Sequence, residues 1–184
     1  METPTINELM VPLKEYASVS SNATVYDAVM AIEAARERVK WRRFKHRAVL
    51  VVDDDERIIG KVRPTEVIDN LEEGYRELGA MDAAARAMLK LDDIKAMMKT
   101  HKLWKKPLDE ICRQAAAVPI TDIMHVFTEK EYIPLKATLA EAIHQMVVGH
   151  YRSLLVTSNG EVVGVLRLTD VYSEICLMIK TAKS

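Results

Sequence analysis

The sequence is poor in residues that would place it in several classes of protein. It has 2 cysteines, 6 glycines and 6 prolines among 184 residues, and 5% of its residues are aromatic. The two distant cysteines, Cys112 and Cys176, form no CxxC motif, which predicts reduced, packed thiols and a cytosolic setting. Because glycine and proline are scarce, long disordered linkers are not expected.

Membrane and nucleic-acid classes are also disfavoured. No apolar run approaches the roughly 20 residues of a membrane-spanning helix, and the opening METPTINELM lacks the basic and apolar regions of a signal peptide. The net charge of −1 excludes a chain-wide polycation. These absences predict a cytoplasmic protein without membrane contact and disfavour nucleic acid as its partner.

Catalytic motifs are missing as well. The sequence has no GxSxG, GxxxxGK[ST] or GxGxxG motif, and its 5 histidines are scattered without metal-ligand spacing. We therefore expect a protein that is not an enzyme and that holds no metal.

What the sequence does contain is an internal repeat. INELM at 6–10 matches ITDIM at 120–124, and RIIGKVRPTEV at 57–67 matches EVVGVLRLTDV at 161–171. Between these segments, RAVLVV matches RSLLVT, and the first copy carries nine extra residues before this strand. The segments follow one another in the same order in both copies, which indicates a duplicated structural unit.

Each copy predicts the same five elements. After a short extended segment, Thr24 and Thr138 are each followed three residues later by a carboxylate, the spacing of a capping box at a helix start. The β-branched runs that follow, separated by turn residues, predict the two strands of a hairpin. Thr65 and Thr169 are then expected to open a second helix. The order β-α-β-β-α therefore occurs twice and predicts an α/β fold.

In this pattern the sequence resembles a tandem pair of CBS domains, also called a Bateman module. The signature of that family is an apolar-Gly-apolar strand with a carboxylate six residues after the glycine. Glu66 follows Gly60, and Asp170 follows Gly164, at that distance. The resemblance implies two repeats packed as a pseudo-two-fold pair, and a homodimer. The implied domains are repeat 1 at 5–72, a helical insertion at 73–118 and repeat 2 at 119–180.

The resemblance also implies a ligand site. In the family the cleft between the repeats often holds adenosine compounds, so AMP, ADP, ATP or S-adenosylmethionine is expected as a regulatory ligand, with no required cofactor. A His-Arg pair before the first hairpin is similar to a phosphate-contacting pair in the gamma subunit of AMP-activated protein kinase. The implied residues are Asp170 and Glu66 for ribose, Arg47, Arg152, His46, Arg63, Arg167 and Thr169 for phosphate, and Val19, Ser20, Ile133 and Pro134 for adenine.

Arg63 and Arg167 depart from the family, which usually has Ser or Thr at the third residue after the glycine. A guanidinium in this position either makes a bidentate contact with phosphate, or it pairs with Glu66 or Asp170 and thereby excludes the ligand. The two carboxylates equally suit the first turn of a helix, where they complement its dipole.

The insertion and two basic stretches leave further alternatives open. The apolar residues of the insertion recur at helical spacing, which predicts a core or dimer contact; they are Leu78, Met81, Met88, Leu91, Ile94 and Met98. The basic stretches at 40–47 and 99–106 contain Trp41 and Trp104. These rings either pack within the insertion or a dimer seam, or help to bind a polyanion or a protein.

The sequence therefore predicts a non-catalytic regulatory module. An adenine nucleotide would favour one arrangement of the two repeats, and an unknown downstream protein would recognise that arrangement. Two alternatives remain. One is a protein-interaction scaffold with arginine-plugged clefts and no ligand, and the other is nucleic-acid or polyanion binding through the basic stretches.

Overall fold

The computed structural model describes residues 3–38, 48–72, 75 and 88–182. Its strands are β1 Val11–Pro12, β2 Ser18–Ser20, β3 Val49–Val52, β4 Ile58–Val62, β5 Tyr132–Pro134, β6 Ser153–Ser158 and β7 Glu161–Arg167. Its helices are α1 Ile6–Leu9, α2 Val25–Arg38, α3 Pro64–Asp69, α4 Leu91–Thr100, α5 Leu108–Ala116, α6 Leu139–Gly149 and α7 Leu168–Thr181. The predicted order β-α-β-β-α is confirmed in both halves.

Each repeat builds its own sheet. In the first, β2 is parallel to β3 and β3 is antiparallel to β4, which gives the order β2-β3-β4. The second has the order β1-β7-β6-β5, with β5 parallel to β6 and β6 antiparallel to β7. A helix connects the parallel strands in each case, because a parallel connection must return to the same end of the sheet.

The first helix of each repeat begins at the predicted capping box. The Thr24 amide and hydroxyl donate to the Asp27 carboxylate, both over 2.8 Å. In the second repeat the Thr138 amide donates to Glu141 over 2.7 Å, and the Glu141 amide returns a bond to the Thr138 hydroxyl. These bonds satisfy amides that lack partners within the helix.

The second helix of each repeat begins earlier than predicted. Arg63 and Arg167 are the N-cap residues of α3 and α7, so Thr65 and Thr169 lie inside the first turn and the prediction that they open these helices is wrong. Pro64 is well suited to the first turn of α3 because proline needs no amide partner there. A carboxylate at the third helical position then lies beside the arginine.

The first residues of each repeat pack against the other repeat. Ile6 is fully buried in a core cluster with Leu154 and Leu166 of the second repeat. Ile120 is fully buried with Val49 and Val62 of the first. We call residues 6–12 and 120–125 the leading segments, and their exchange ties the two repeats together.

Backbone pairing continues the exchange. β1 pairs antiparallel with β7, with Val11 opposite Val165. At the equivalent place His125 forms an isolated bridge with Lys61 of β4. The amide of each of these two residues donates to the carbonyl of the other, over 3.0 and 2.9 Å.

Gly60 and Gly164 are required by this exchange, because the leading segments pass close to them. A Cβ on Gly164 would lie 2.7 Å from the Met10 sulfur and 2.7 Å from the Val11 carbonyl oxygen. On Gly60 it would lie 2.7 Å from the Met124 sulfur. Any side chain at these positions would therefore push the leading segment away.

Between the sheets lies a third apolar layer. Leu50, Leu155 and Val165 are buried there, with Phe127 and Tyr132 packed against them. Leu50 and Leu155 are equivalent positions of the two repeats. The position equivalent to Val165 is Lys61, so a charged residue interrupts the symmetry of this layer.

The described part of the insertion contains the helices α4 and α5, joined by a non-helical turn. The four residues of the apolar stripe that are described are exposed, between 38% for Met98 and 80% for Met88, so they are not part of the core of this chain. Leu78 and Met81 lie outside the described residues. Cys112 is exposed and Cys176 half-buried, both free, so the prediction of packed thiols is wrong for Cys112.

Candidate functional site

The corner after β7, formed by Gly164, Arg167 and Asp170, holds a buried arginine. Arg167 is 6% exposed. Its Nε donates to Asp170 Oδ2 over 2.5 Å and its Nη2 donates to Oδ1 over 2.6 Å. This two-point contact occupies both carboxylate oxygens and is the geometry in which guanidinium binds carboxylate best. We call this site the second corner.

The corner after β4, formed by Gly60, Arg63 and Glu66, repeats the arrangement. Arg63 Nε donates to Glu66 Oε1 over 2.8 Å, the Arg63 amide donates to Oε2 over 2.7 Å, and Arg63 Nη2 also contacts Oε1. Burial raises the pKa of Glu66, but the hydrogen bonds from Arg63 outweigh this effect and hold the pKa below its ordinary value. We call this site the first corner.

Tyr16 and Arg152 lie beside the second corner. Tyr16 lies close enough for Arg167 and Asp170 to act on its ionisation, and burial raises its pKa to about 12. Arg152 is exposed beside the corner, where its carbonyl oxygen accepts a hydrogen bond from the Leu168 amide over 3.0 Å. Arg152 therefore lies next to the second corner through its backbone, and its role in phosphate binding stays a prediction.

An open cavity of about 280 Å³ adjoins Asp170. It lies between α1 and α7 and is lined by Glu8, Leu9, Met10, Asp170, Ser173, Glu174 and Leu177. Three of these side chains are carboxylates, so the cavity itself favours an uncharged or cationic group. An anionic group would have to reach toward the arginines instead.

Near the first corner lies a buried charged cluster that the sequence analysis did not find. We call Lys61, Glu131 and His125 the inter-repeat ion cluster. Lys61 Nζ is 2.8 Å from Glu131 Oε1, and His125 Nε2 is 2.8 Å from Oε2. Lys61 is 5% exposed and Glu131 is 2% exposed. The signal in the sequence was a lysine in an apolar strand where the other copy has valine.

Burial and hydrogen bonding act in opposite directions on the cluster. Burial raises the pKa of Glu131, but hydrogen bonds from Lys61, His125 and the Thr128 amide overcome this and hold it at about 2. Burial also lowers the pKa of Lys61, against the opposing effect of Glu131. Lys61 Nζ additionally lies 4.7 Å from the centre of the Phe127 ring, a favourable cation–π distance.

The other expected site residues are dispersed. Val19 and Ile133 pack in the separate cores of the two repeats. Ser20 and Pro134 are exposed, and Thr169 is half-buried. His46 and Arg47 lie outside the described residues, as does the whole basic stretch at 40–47.

Trp104 of the second basic stretch is engaged in packing. Its indole nitrogen donates to the Tyr75 hydroxyl over 3.0 Å, its amide donates to Glu72 over 2.7 Å, and its ring meets Tyr75 edge to face. Packing of this ring within the insertion is therefore confirmed.

Two further findings limit the chemistry of the described part of the chain. Within it, no group of three or more His, Cys, Asp or Glu side chains is placed to hold a metal ion. Nor is any helix of that part long and apolar enough to cross a membrane.

Fold and site together define a class. The protein is a duplicated α/β module whose leading segments are exchanged and whose matched Gly-x-x-Arg-x-x-carboxylate corners adjoin the contact between the repeats. The sequence model of the CBS domain matches residues 6–73 and 117–176, more than half of the chain. The chain belongs to the CBS domain family, and its fold is that of a tandem CBS pair.

Solved structures of the same fold cover nearly the whole chain. CBSX2 in complex with AMP is 18% identical, with a TM-score of 0.55, and the match covers 96% of this chain and 98% of that one. A putative acetoin utilization protein (AcuB) from Vibrio cholerae is 16% identical, with a TM-score of 0.56 and coverage of 100% and 98%.

The CBS domains of a transcriptional regulator from Streptococcus pneumoniae are 15% identical, with a TM-score of 0.53 and coverage of 94% and 99%. At these identities the likeness shows the fold alone. No curated protein matches the chain.

Proposed function

We propose that this CBS pair is a non-catalytic regulatory module that binds an adenine nucleotide between its repeats. The observation that carries the proposal is the duplicated corner, in which an ionised carboxylate and an arginine are held together beside the contact between the repeats. A carboxylate can accept two hydrogen bonds from the vicinal hydroxyls of ribose, and a guanidinium can fork onto phosphate. The structural neighbour bound to AMP supports this ligand class.

Binding has to rearrange the corner, because Arg167 occupies both oxygens of Asp170. The guanidinium turns from the carboxylate toward the phosphate, and the freed carboxylate accepts the ribose hydroxyls. One charge-assisted contact thereby replaces another. The ligand then stabilises the arrangement of repeats that it bridges, and a downstream protein reads that population shift.

Thermal unfolding with AMP, ADP, ATP and S-adenosylmethionine tests the proposal. A ligand that binds only the folded protein raises the melting temperature with its concentration, by about 5 to 10 °C at a hundredfold excess over Kd. We expect the shift to disappear in Asp170→Asn and to persist in Asp122→Asn, a matched change at an exposed aspartate. The absence of a concentration-dependent shift with every ligand would refute nucleotide binding.

A scaffold without a small ligand is the second candidate. It is favoured by the observation that both carboxylates are already paired with arginine, with the Arg167 side chain only 7% exposed. The two functions differ in the effect of Arg167→Ala. In a sensor the variant binds AMP more weakly while adenosine binding changes little, whereas in a scaffold the variant is only less stable.

We also propose that the protein is a homodimer. Large apolar side chains are exposed on four described helices of the repeats, α2, α3, α6 and α7, among them Tyr26, Val147, Val148, Tyr172 and Ile179. Burying such a surface against a second copy would remove it from water. Sedimentation equilibrium should give twice the chain mass of 20.8 kDa. A single species of the chain mass at micromolar concentration would contradict the proposal.

A further inference from the structure

The two corners have the same design but different surroundings. Lys61 pairs with His125 in one repeat, and Val165 pairs with Val11 in the other. Glu131, which lies 114 residues after Ala17, occupies the position equivalent to that alanine. Lys61, His125 and Glu131 therefore correspond, in this order, to Val165, Val11 and Ala17.

The side chains of the inter-repeat ion cluster contact each other across the boundary between the two repeats. Lys61 belongs to β4 of the first repeat, and Glu131 directly precedes β5 of the second. Their side chains are 6% and 3% exposed, and Lys61 Nζ also lies 3.5 Å from the Ser153 hydroxyl of β6. Both carboxylate oxygens of Glu131 are used, one by Lys61 and one by His125.

A shift of the repeats on this side that admits no water would leave a buried ion without its partner. Such a loss is strongly unfavourable, because each ion has already given up its hydration. On the other side the equivalent contact is between apolar side chains, which can shift against each other without leaving a charge unpaired. The two corners therefore differ in how easily the elements around them can move.

We propose that the inter-repeat ion cluster holds the first corner closed, so that the protein binds one nucleotide, at the second corner. The proposal rests on the proposed function and adds the number and position of its ligands. Lys61 and Glu131 are positioning residues in this scheme, because they act on the site through the arrangement of the repeats. The open cavity beside Asp170 supports access at the second corner.

Isothermal titration with AMP tests the number of sites. We expect one AMP per wild-type chain, with at least a tenfold loss of affinity in Asp170→Asn and no change in Glu66→Gln. The triple variant Lys61→Val, His125→Val, Glu131→Ala gives the first corner the residues of the second. It should bind two AMP per chain, a change that altered stability alone would not produce.

Three results of the titration would overturn the proposal. These are two AMP bound to the wild-type chain, one AMP bound to a folded triple variant, and loss of binding in Glu66→Gln while Asp170→Asn still binds. If AMP binds to neither protein, the proposed function fails, and the assignment of one site fails with it.

Hydrogen exchange tests the cluster without a ligand. In Glu131→Gln we expect the amides of Lys61 and His125 to exchange at least tenfold faster than in the wild type, while those of Val11 and Val165 keep their rates. Glu129→Gln, at an exposed glutamate two residues away, is the matched control and should change neither pair. Unchanged exchange at Lys61 and His125, or an equal change at both pairs, would refute the closing role of the cluster.

Discussion

Arginine at the third residue after each glycine is explained by the carboxylate three residues later. Its planar guanidinium presents two parallel N–H groups, which match the two oxygens of Asp170. Serine or threonine at that position could donate only one hydrogen bond. The arginine therefore replaces a short polar side chain by a charged partner of the carboxylate. The proposed nucleotide would have to displace this partner, which its phosphate can do as a strong hydrogen-bond acceptor.

Glu131 makes a pH-dependent contribution to stability. Its pKa of about 2 lies below the ordinary value of 4.5, so the native state favours the ionised form. A depressed pKa stabilises the fold fully above about pH 4.5, and this contribution is lost as the pH falls through about 2. We expect Glu131→Gln to lower the free energy of unfolding by about 3 kcal/mol at pH 7.

Urea unfolding at pH 7, 4 and 2.5 measures this contribution. The difference between wild type and Glu131→Gln should shrink as the pH decreases, because the carboxylate becomes protonated in the unfolded chain while it stays ionised in the native state. A difference that stays constant across this range would contradict the assignment. Glu129→Gln is the control, since its side chain is exposed.

At the scale of single elements, the pattern of residues predicted the types of helix and strand better than their first residues. The capping boxes at Thr24 and Thr138 were found because their partners are three residues away in sequence. The start of α7 was misplaced because threonine is a common cap, while arginine is not. Arg167 caps α7 only because the strand ends there and Asp170 holds its side chain.

Two glycine substitutions distinguish the loss of stability caused by a steric collision from the loss caused by an unfavourable backbone conformation. Gly164→Ala should destabilise the protein by about 2 kcal/mol, since its Cβ would collide with Met10 and with the backbone of Val11. Gly160→Ala should cost about 1 kcal/mol for a different reason, because its φ is +85° and nothing lies within 4 Å of the new methyl group.

The free energy of unfolding of each alanine variant, measured with and without Met10→Ala, distinguishes these two causes. Met10→Ala in the Gly164→Ala background removes one clash and should recover part of the loss. In the Gly160→Ala background the same change should recover nothing. Equal effects in the two backgrounds would contradict the packing argument.

At the scale of the whole molecule, the exchange of leading segments makes each repeat depend on residues of the other. Ile6 completes the core that contains Leu154 and Leu166, and Ile120 completes the core that contains Val49 and Val62. Each leading segment is therefore part of one repeat along the chain and part of the other repeat's core in space. This arrangement suits a module in which a ligand at a corner alters the relation of the two halves.

Ile6→Ala tests the exchange directly. Truncating this buried side chain should lower the free energy of unfolding by about 3 kcal/mol. Hydrogen exchange should increase in β6 and β7, which lie about 150 residues away in sequence. Ile120→Ala is the matched variant and should instead increase exchange in β3 and β4. Faster hydrogen exchange confined to the repeat that contains the substituted residue would refute the exchange of leading segments.

The sequence by itself determined the duplicated unit, the order of its elements and the residues of the two corners. These features depend on residues close together in the chain, on capping spacing, strand alternation and turn chemistry, so a linear pattern records them. Tertiary structure alone decided that the leading segments are exchanged, and that Lys61, Glu131 and His125 meet. Lys61 is 64 residues from His125 and 70 residues from Glu131, and Ile6 is farther still from Leu154 and Leu166, so no local preference of the chain encodes these contacts.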